Sequence, residues 1–285
     1  MNSLQRFHPL FLLTYYALTI GLASYMMHPL VLAFALVMTV LHVALLTSFM
    51  QAIKDVLYYG IYGSLLAVMY SAFSHNGITP LFFYNDNAIT KEAIVYGAML
   101  GMLLVLLVFC WQSLLLTMQT NHFLFLFTRL HPKVALVFIM VFRFIPYIRE
   151  HWQQHVLAQK GGHYFETTSR FDRMGRYATL QFHTLMQAID SVMWKPTVMN
   201  SKGYAKQRTQ FQLFRWHVRD TVIVIVTLGA AAMALYSVPS FRYYPATDSL
   251  TLPPHAFIAI IILYALPVVL EGKEQLSWYY AKSNM

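Results

Sequence analysis

Six apolar stretches, each close to the length of a membrane-spanning helix, constrain this chain more than any other feature. They cover residues 9–27, 29–50, 56–73 and 93–116, then 221–238 and 256–270. A spanning helix needs about 20 apolar residues, because it rises about 1.5 Å per residue through a hydrocarbon core about 30 Å thick. His28-Pro29 separates the first two stretches, and a proline suits the first turn of the helix that follows. Composition points the same way. Of the 285 residues, 58% are hydrophobic and 11% charged, against about 25% charged in a soluble domain. One soluble core cannot bury that excess. A soluble enzyme and a disordered chain are therefore both excluded. The expected fold class is all-α, a polytopic membrane protein with about six transmembrane helices.

The charges organise the chain. Lys plus Arg is 20 and Asp plus Glu 11, a net +9. Between Arg143 and Arg219 lie 12 of those basic residues against four acids, Glu150, Glu166, Asp172 and Asp190, so this segment alone carries +8. Positive loops stay on the cytoplasmic side. With four spans before the segment and two after it, both termini are expected inside and the connections at 74–92 and 239–255 outside. Residues 74–92 read as a loop rich in turn formers (Asn76-Gly77, Pro80, Asn85-Asp86-Asn87), and Pro239, Pro245, Pro253 and Pro254 interrupt any helix in the other connection. Three regions follow: transmembrane helices over 1–120, a cytoplasmic or interfacial region over 121–219, and transmembrane helices over 220–285. Residues 121–130 are too short to span and read as an interfacial helix. The single cysteine, Cys110, rules out a disulfide framework or a cysteine metal site within the chain.

The basic middle segment reads as two over-long helices. The first runs from 134 to 160 through Pro146 and stops at Gly161-Gly162. The second covers 171–200. Phe171, Met174, Ala178, Phe182, Leu185, Ile189 and Met193 recur at steps of three and four, while Arg176, Thr179, His183, Gln187 and Asp190 follow another face. Thirty residues of helix reach about 45 Å, and Pro196 is expected to kink the last turn. Each helix ends in a short basic, glycine-containing segment: Ala158-Gln159-Lys160-Gly161-Gly162-His163, and Met199-Asn200-Ser201-Lys202-Gly203-Tyr204 with Arg208-Thr209 after it. A cation at a helix C-terminus is, by itself, a cap for unpaired carbonyls. Two such tips on two long helices of one membrane chain point instead to rigid rods presented to a partner.

At these residues the sequence resembles the transmembrane T component of energy-coupling factor (ECF) transporters, importers of vitamins and metals driven by a pair of ABC-type ATPases. The resemblance spans residues 117–216. Arg143-Phe144-Ile145-Pro146 with Glu150 is similar to the family's Arg-Phe-Ile-Pro at the start of the first coupling helix. Leu157 to Lys160 matches the stretch before the first Ala-Arg-Gly motif, and Met199 to Tyr204 with Arg208-Thr209 matches the second. Two departures stand out. Gly161-Gly162-His163 occupies the first motif without its arginine, and Ser201-Lys202-Gly203 carries lysine in the second. Arginine offers a carboxylate two parallel bonds, whereas lysine is a point charge. The resemblance implies a non-catalytic subunit with two long cytoplasmic coupling helices. Lys160, Gly161, Gly162, Ser201, Lys202, Gly203 and Arg208 would dock the ATPases, and Arg143, Pro146 and Glu150 would begin the first coupling helix. The implied partners are two ABC-type ATPase subunits (energy-coupling factor A and A'), a membrane S component that captures the micronutrient, and the bilayer. ATP would be bound by those partners, this chain holding no cofactor. A surface rich in Met, such as Met174, Met186, Met193 and Met199, repacks easily and would suit a sliding S component.

Other classes fit less well. Glu150-His151-x-x-x-His155 places two imidazoles at zinc-binding spacing, but the zinc-protease pattern needs the glutamate between the histidines and no third ligand is evident. No Gly-x-Ser-x-Gly, Walker A sequence or paired intramembrane aspartates occur. Carboxylates are essentially absent inside the apolar stretches, which disfavours a proton-coupled carrier. Membrane topology already accounts for the basic segment, so no nucleic acid is expected. The alternative is a membrane scaffold, or a permease subunit of another type, without ECF ATPase partners.

Overall fold

The computed structural model describes residues 3–74, 77–84, 87–130, 132–166, 169–203, 214, 216–236 and 253–283. It is all-α apart from one short hairpin. A 3-10 turn at Ser3–Arg6 precedes α1 (Pro9–Tyr25), α2 (Pro29–Leu46) and α3 (Phe49–Phe73). Strands β1 (Pro80–Tyr84) and β2 (Asn87–Thr90) lead into α4 (Lys91–Thr117) and α5 (Thr120–Leu130). Then follow α6 (Pro132–Gly161), α7 (Arg170–Ser201), α8 (Val218–Tyr236) and α9 (Pro254–Ser283).

Five helices, α2, α3, α4, α8 and α9, are long and apolar enough to cross a membrane, and the chain is a multi-pass membrane protein on that ground. Six were expected. The sixth apolar helix, α1, has 17 residues, about 25 Å of helix and at the lower limit for a span. It is short because both ends are set locally. The His8 ring accepts the Leu10 N–H at 3.2 Å ahead of Pro9, and three residues separate Tyr25 from Pro29. The expected loop over 74–92 is partly a hairpin: β1 and β2 pair antiparallel, Phe83 opposite Ala88 and Tyr84 opposite Asn87. Its strands are short and its turn formers dominate the sequence, which hides the alternation. The connection at 239–252 lies outside the described residues.

The chain forms two compact units. The first joins Met1–Phe123 with Phe214–Met285, so the transmembrane regions at the two ends of the sequence make one body. In it α4 packs against α1, α2 and α3, while α9 packs against α2 and α8. The α3–α4 seam is the closest. Gly97-x-x-x-Gly101 on α4 faces Gly63 and Ala67 on α3, and a Cβ built at Gly63 would lie 2.9 Å from the Gly101 carbonyl oxygen and 2.6 Å from a Val105 methyl. Without a hydrophobic drive between helices in lipid, backbones that approach over small residues supply the packing.

One end of this unit is tied by polar bonds. Gln5 donates to the Leu116 carbonyl at 3.4 Å, the His122 ring bonds the Gln5 carbonyl at 3.0 Å, and Gln275 donates to the Leu45 carbonyl at 2.6 Å. Arg6 pairs with Glu274 at 2.9 Å, and Arg219 lies over the Phe7 ring. The start of α1, the ends of α2, α4 and α9 and the start of α8 therefore share one face, as strict alternation of six apolar helices requires. Of three buried carboxylates, Glu92 and Asp220 sit in the first turns of α4 and α8, while Glu271 lies within α9. Asp220 accepts the His217 N–H at 3.2 Å at the N-terminus of α8, half of a capping box.

Candidate functional site

The second unit, Leu124–Leu213, is built on α6 and α7. The two helices pack antiparallel. His155 bonds Gln187 at 3.0 Å, Lys195 lies over the Tyr147 ring, Phe165 stacks on Tyr177 at 4.1 Å, and Arg176 donates to the Tyr164 carbonyl. The seam of α7 is Leu180, Thr184 and Ala188, one residue per turn and all buried. The apolar stripe read from the periodicity is largely open. Phe171 is 86% exposed, Met174 72%, Phe182 57% and Met193 68%. Pro146 lies inside α6, and α7 continues past Pro196 to Ser201.

Both helix ends close with a left-handed residue. At the end of α6 the His163 N–H bonds the Lys160 carbonyl at 3.2 Å and the Tyr164 N–H bonds the Gln159 carbonyl at 3.1 Å. That pair of bonds is a Schellman motif. Its left-handed position belongs to His163, with φ 55°, and Gly161 and Gly162 form the last helical turn before it. His163 is held by Glu166, whose carboxylate is 2.6 Å from the ring. At the end of α7 the Gly203 N–H bonds the Asn200 carbonyl at 3.0 Å, and Gly203 has φ 74°. Glycine adopts that conformation without the Cβ penalty. Ser201 donates to the Val198 carbonyl at 2.9 Å.

Lys160, Gly161, Gly162, Ser201, Lys202 and Gly203 are all exposed. Arg208 lies outside the described residues. Because the helices run antiparallel, the structure keeps the two tips apart, at opposite ends of rods of 30 and 32 residues, about 45 Å in length. Arg143 is brought to the α7 tip: it lines one groove with Lys195 and Met199. Pro146 and Glu150 stay on the exposed surface of α6 and join neither tip. The rings of His151 and His155 are 6.4 Å apart, and among the described residues no group of three His, Cys, Asp or Glu could hold a metal ion.

In the first unit, burial pushes His122 below its usual pKa, partly offset by its hydrogen bonds to backbone. The neutral ring uses both nitrogens: Nδ1 accepts the Gln119 N–H at 3.2 Å and Nε2–H donates to the Gln5 carbonyl. Sequence reasoning missed His122 and the Gly63–Gly101 seam. The first could not be found locally, since its long-range partner, the Gln5 carbonyl, is 117 residues away. The second has one in Gly97-x-x-x-Gly101. No protein-family model matches the chain, and no curated protein matches it at a significant level.

Proposed function

We propose that this chain is the transmembrane T component of an ECF-type importer, a non-catalytic subunit that couples two cytosolic ABC-type ATPases to a membrane S component for micronutrient uptake. The observation that carries the proposal is the pair of antiparallel rods, each closed by an exposed left-handed cap with a lysine beside it, Lys160 on one and Lys202 on the other. Tips at opposite ends of a rigid pair can engage two motor subunits at once. A single basic patch could not. The uncovered stripe from Phe171 to Met193 supplies an adaptable apolar surface for the S component.

The orientation is part of the proposal. Of the 20 basic residues, 12 fall in the sequence between Arg143 and Arg219. Positive charge is retained on the cytoplasmic side, so that concentration supports a reading with the rods and both termini on that side. Motion of the ATPases would then be carried by α6 and α7 as levers. The missing first-motif arginine leaves Lys160 and His163 at that tip, and Lys202 at the other with Arg208 following it in the sequence, so docking rests on point charges and caps more than on bidentate arginine bonds.

The test is charge reversal at a tip. Lys202→Glu combined with Arg208→Glu is expected to weaken ATPase binding roughly tenfold or more, with the membrane unit still folded by gel filtration in detergent. Unaltered binding of both ATPases by that variant would remove the tips from the assignment.

A further inference from the structure

Between α6 and α7, beside the second tip, lies a groove of about 680 Å³, within the range of about 300–1,000 Å³ typical of small-ligand pockets. Its walls are Leu136, Ile139 and Met140 from α6 and Val192, Val198 and Met199 from α7. Two cations, Arg143 and Lys195, line it together with Tyr147. Lys195 rests on the Tyr147 ring, 5.6 Å from its centroid, and among the described residues no carboxylate is in ion-pair contact with either cation. Arg143 sits seven residues ahead of Glu150 on the same helix, but both side chains are exposed and unpaired with each other.

An apolar trough with two uncompensated cations matches one ligand chemistry, an acyl chain joined to an anionic phosphate. We infer that this groove binds an anionic glycerophospholipid, its chain along the Leu136–Met199 walls and its phosphate held by Arg143 and Lys195. Arginine's fork suits phosphate oxygens. The surroundings fit a lipid rather than an acidic peptide. The α6 turns flanking the groove expose Val137 and Phe142, apolar side chains suited to a membrane interface. Trp194, 72% exposed, stands in the lining as tryptophans do at a membrane interface. The inference rests on the membrane assignment and not on ATPase docking, so the two fail separately.

The test uses the full chain in nanodiscs of phosphatidylcholine in which either phosphatidylcholine or added phosphatidylglycerol carries brominated acyl chains. Quenching of Trp194 is read as the difference between the natural chain and Trp194→Phe. Each cation near an anionic lipid contributes roughly fivefold, so phosphatidylglycerol is expected to be enriched at Trp194 about thirtyfold over phosphatidylcholine. Arg143→Gln with Lys195→Gln should bring the two lipids to parity, and Arg143→Lys with Lys195→Arg should keep the preference. Lys195→Gln alone, the milder change, should lose about fivefold. Equal quenching by both lipids in the natural chain, or a preference that survives the double glutamine variant, would overturn the inference. So would Trp194 shielded from both lipids by a bound polypeptide.

Discussion

Two glycines one turn apart on α3 should respond in opposite directions to the same substitution. Gly60 has nothing within 4 Å of where a Cβ would stand. Gly63 faces α4, where that Cβ would meet Val105 at 2.6 Å and the Gly101 carbonyl oxygen at 2.9 Å. Real Cβ atoms do not approach so closely, and a backbone oxygen cannot swing aside as a side-chain tip can. Gly63→Ala therefore forces α3 and α4 apart along the seam that also holds Gly97 against Ala67. Overpacking of this kind costs about 1–3 kcal/mol. Gly60→Ala adds no contact and removes the backbone entropy that a helical glycine carries, about 1 kcal/mol in the stabilising direction. That gain is common to both substitutions, so the two variants should differ by the overpacking cost alone, about 1–3 kcal/mol. Thermal unfolding in one detergent, followed by tryptophan fluorescence, measures the gap. Trp111 on α4 lies within the same unit. If Gly63→Ala proves as stable as Gly60→Ala, α3 and α4 do not approach over glycine and the packing of the first unit described above is wrong.

Three further outcomes follow from single residues. Gly203→Val places an L-residue at φ 74° in open space, so its cost of about 1–2 kcal/mol is purely conformational; faster amide exchange in the last turn of α7 reports it, and Gly203→Asn should be tolerated better. His163→Gly should do the reverse at α6 by removing the Cβ penalty at φ 55°, unless the Glu166 contact outweighs it, which Glu166→Gln in the same background separates. His122 has a depressed folded pKa, so it is neutral in the fold and binds a proton more readily when unfolded. Its contribution is complete above the unfolded value of about 6.5 and declines as pH falls toward the folded value. The melting temperature should drop on acidification in that window, and His122→Gln should blunt the drop; an equal drop without the imidazole would clear His122 of the effect.

Much of the fold is legible in the sequence because lipid imposes a simple rule. Every backbone group must bond within its own segment, so apolar runs become helices, with a boundary at His28-Pro29 as read; the next boundary falls at Thr47-Ser48, ahead of the one read from hydropathy, because α3 takes in the polar turn from Gln51 to Asp55. The Gly203 cap is legible for a similar reason, since a glycine after a long periodic run has few other uses. What stays hidden depends on partners distant in the chain. Gln5 and Leu116 meet only when α1 and α4 are already side by side. The periodicity of α7 marks Phe171, Phe182 and Met193 as one apolar face; the structure leaves all three exposed and buries Leu180, Thr184 and Ala188. Periodicity ranks side chains by apolarity, whereas burial depends on which line of α7 residues faces α6, and the large apolar side chains fall on another surface. At α6 the glycines suggest the left-handed position, and the hydrogen bonds assign it to His163 one residue later.

Purification of the tagged full chain from its own membranes in mild detergent, with every co-eluting chain identified, tests the T-component assignment most directly. The account predicts two nucleotide-binding chains carrying Walker A sequences and one small membrane protein, with the ATPases released by the Lys202→Glu and Arg208→Glu changes. A chain that elutes alone from intact membranes, or with partners lacking any nucleotide-binding sequence, would contradict it.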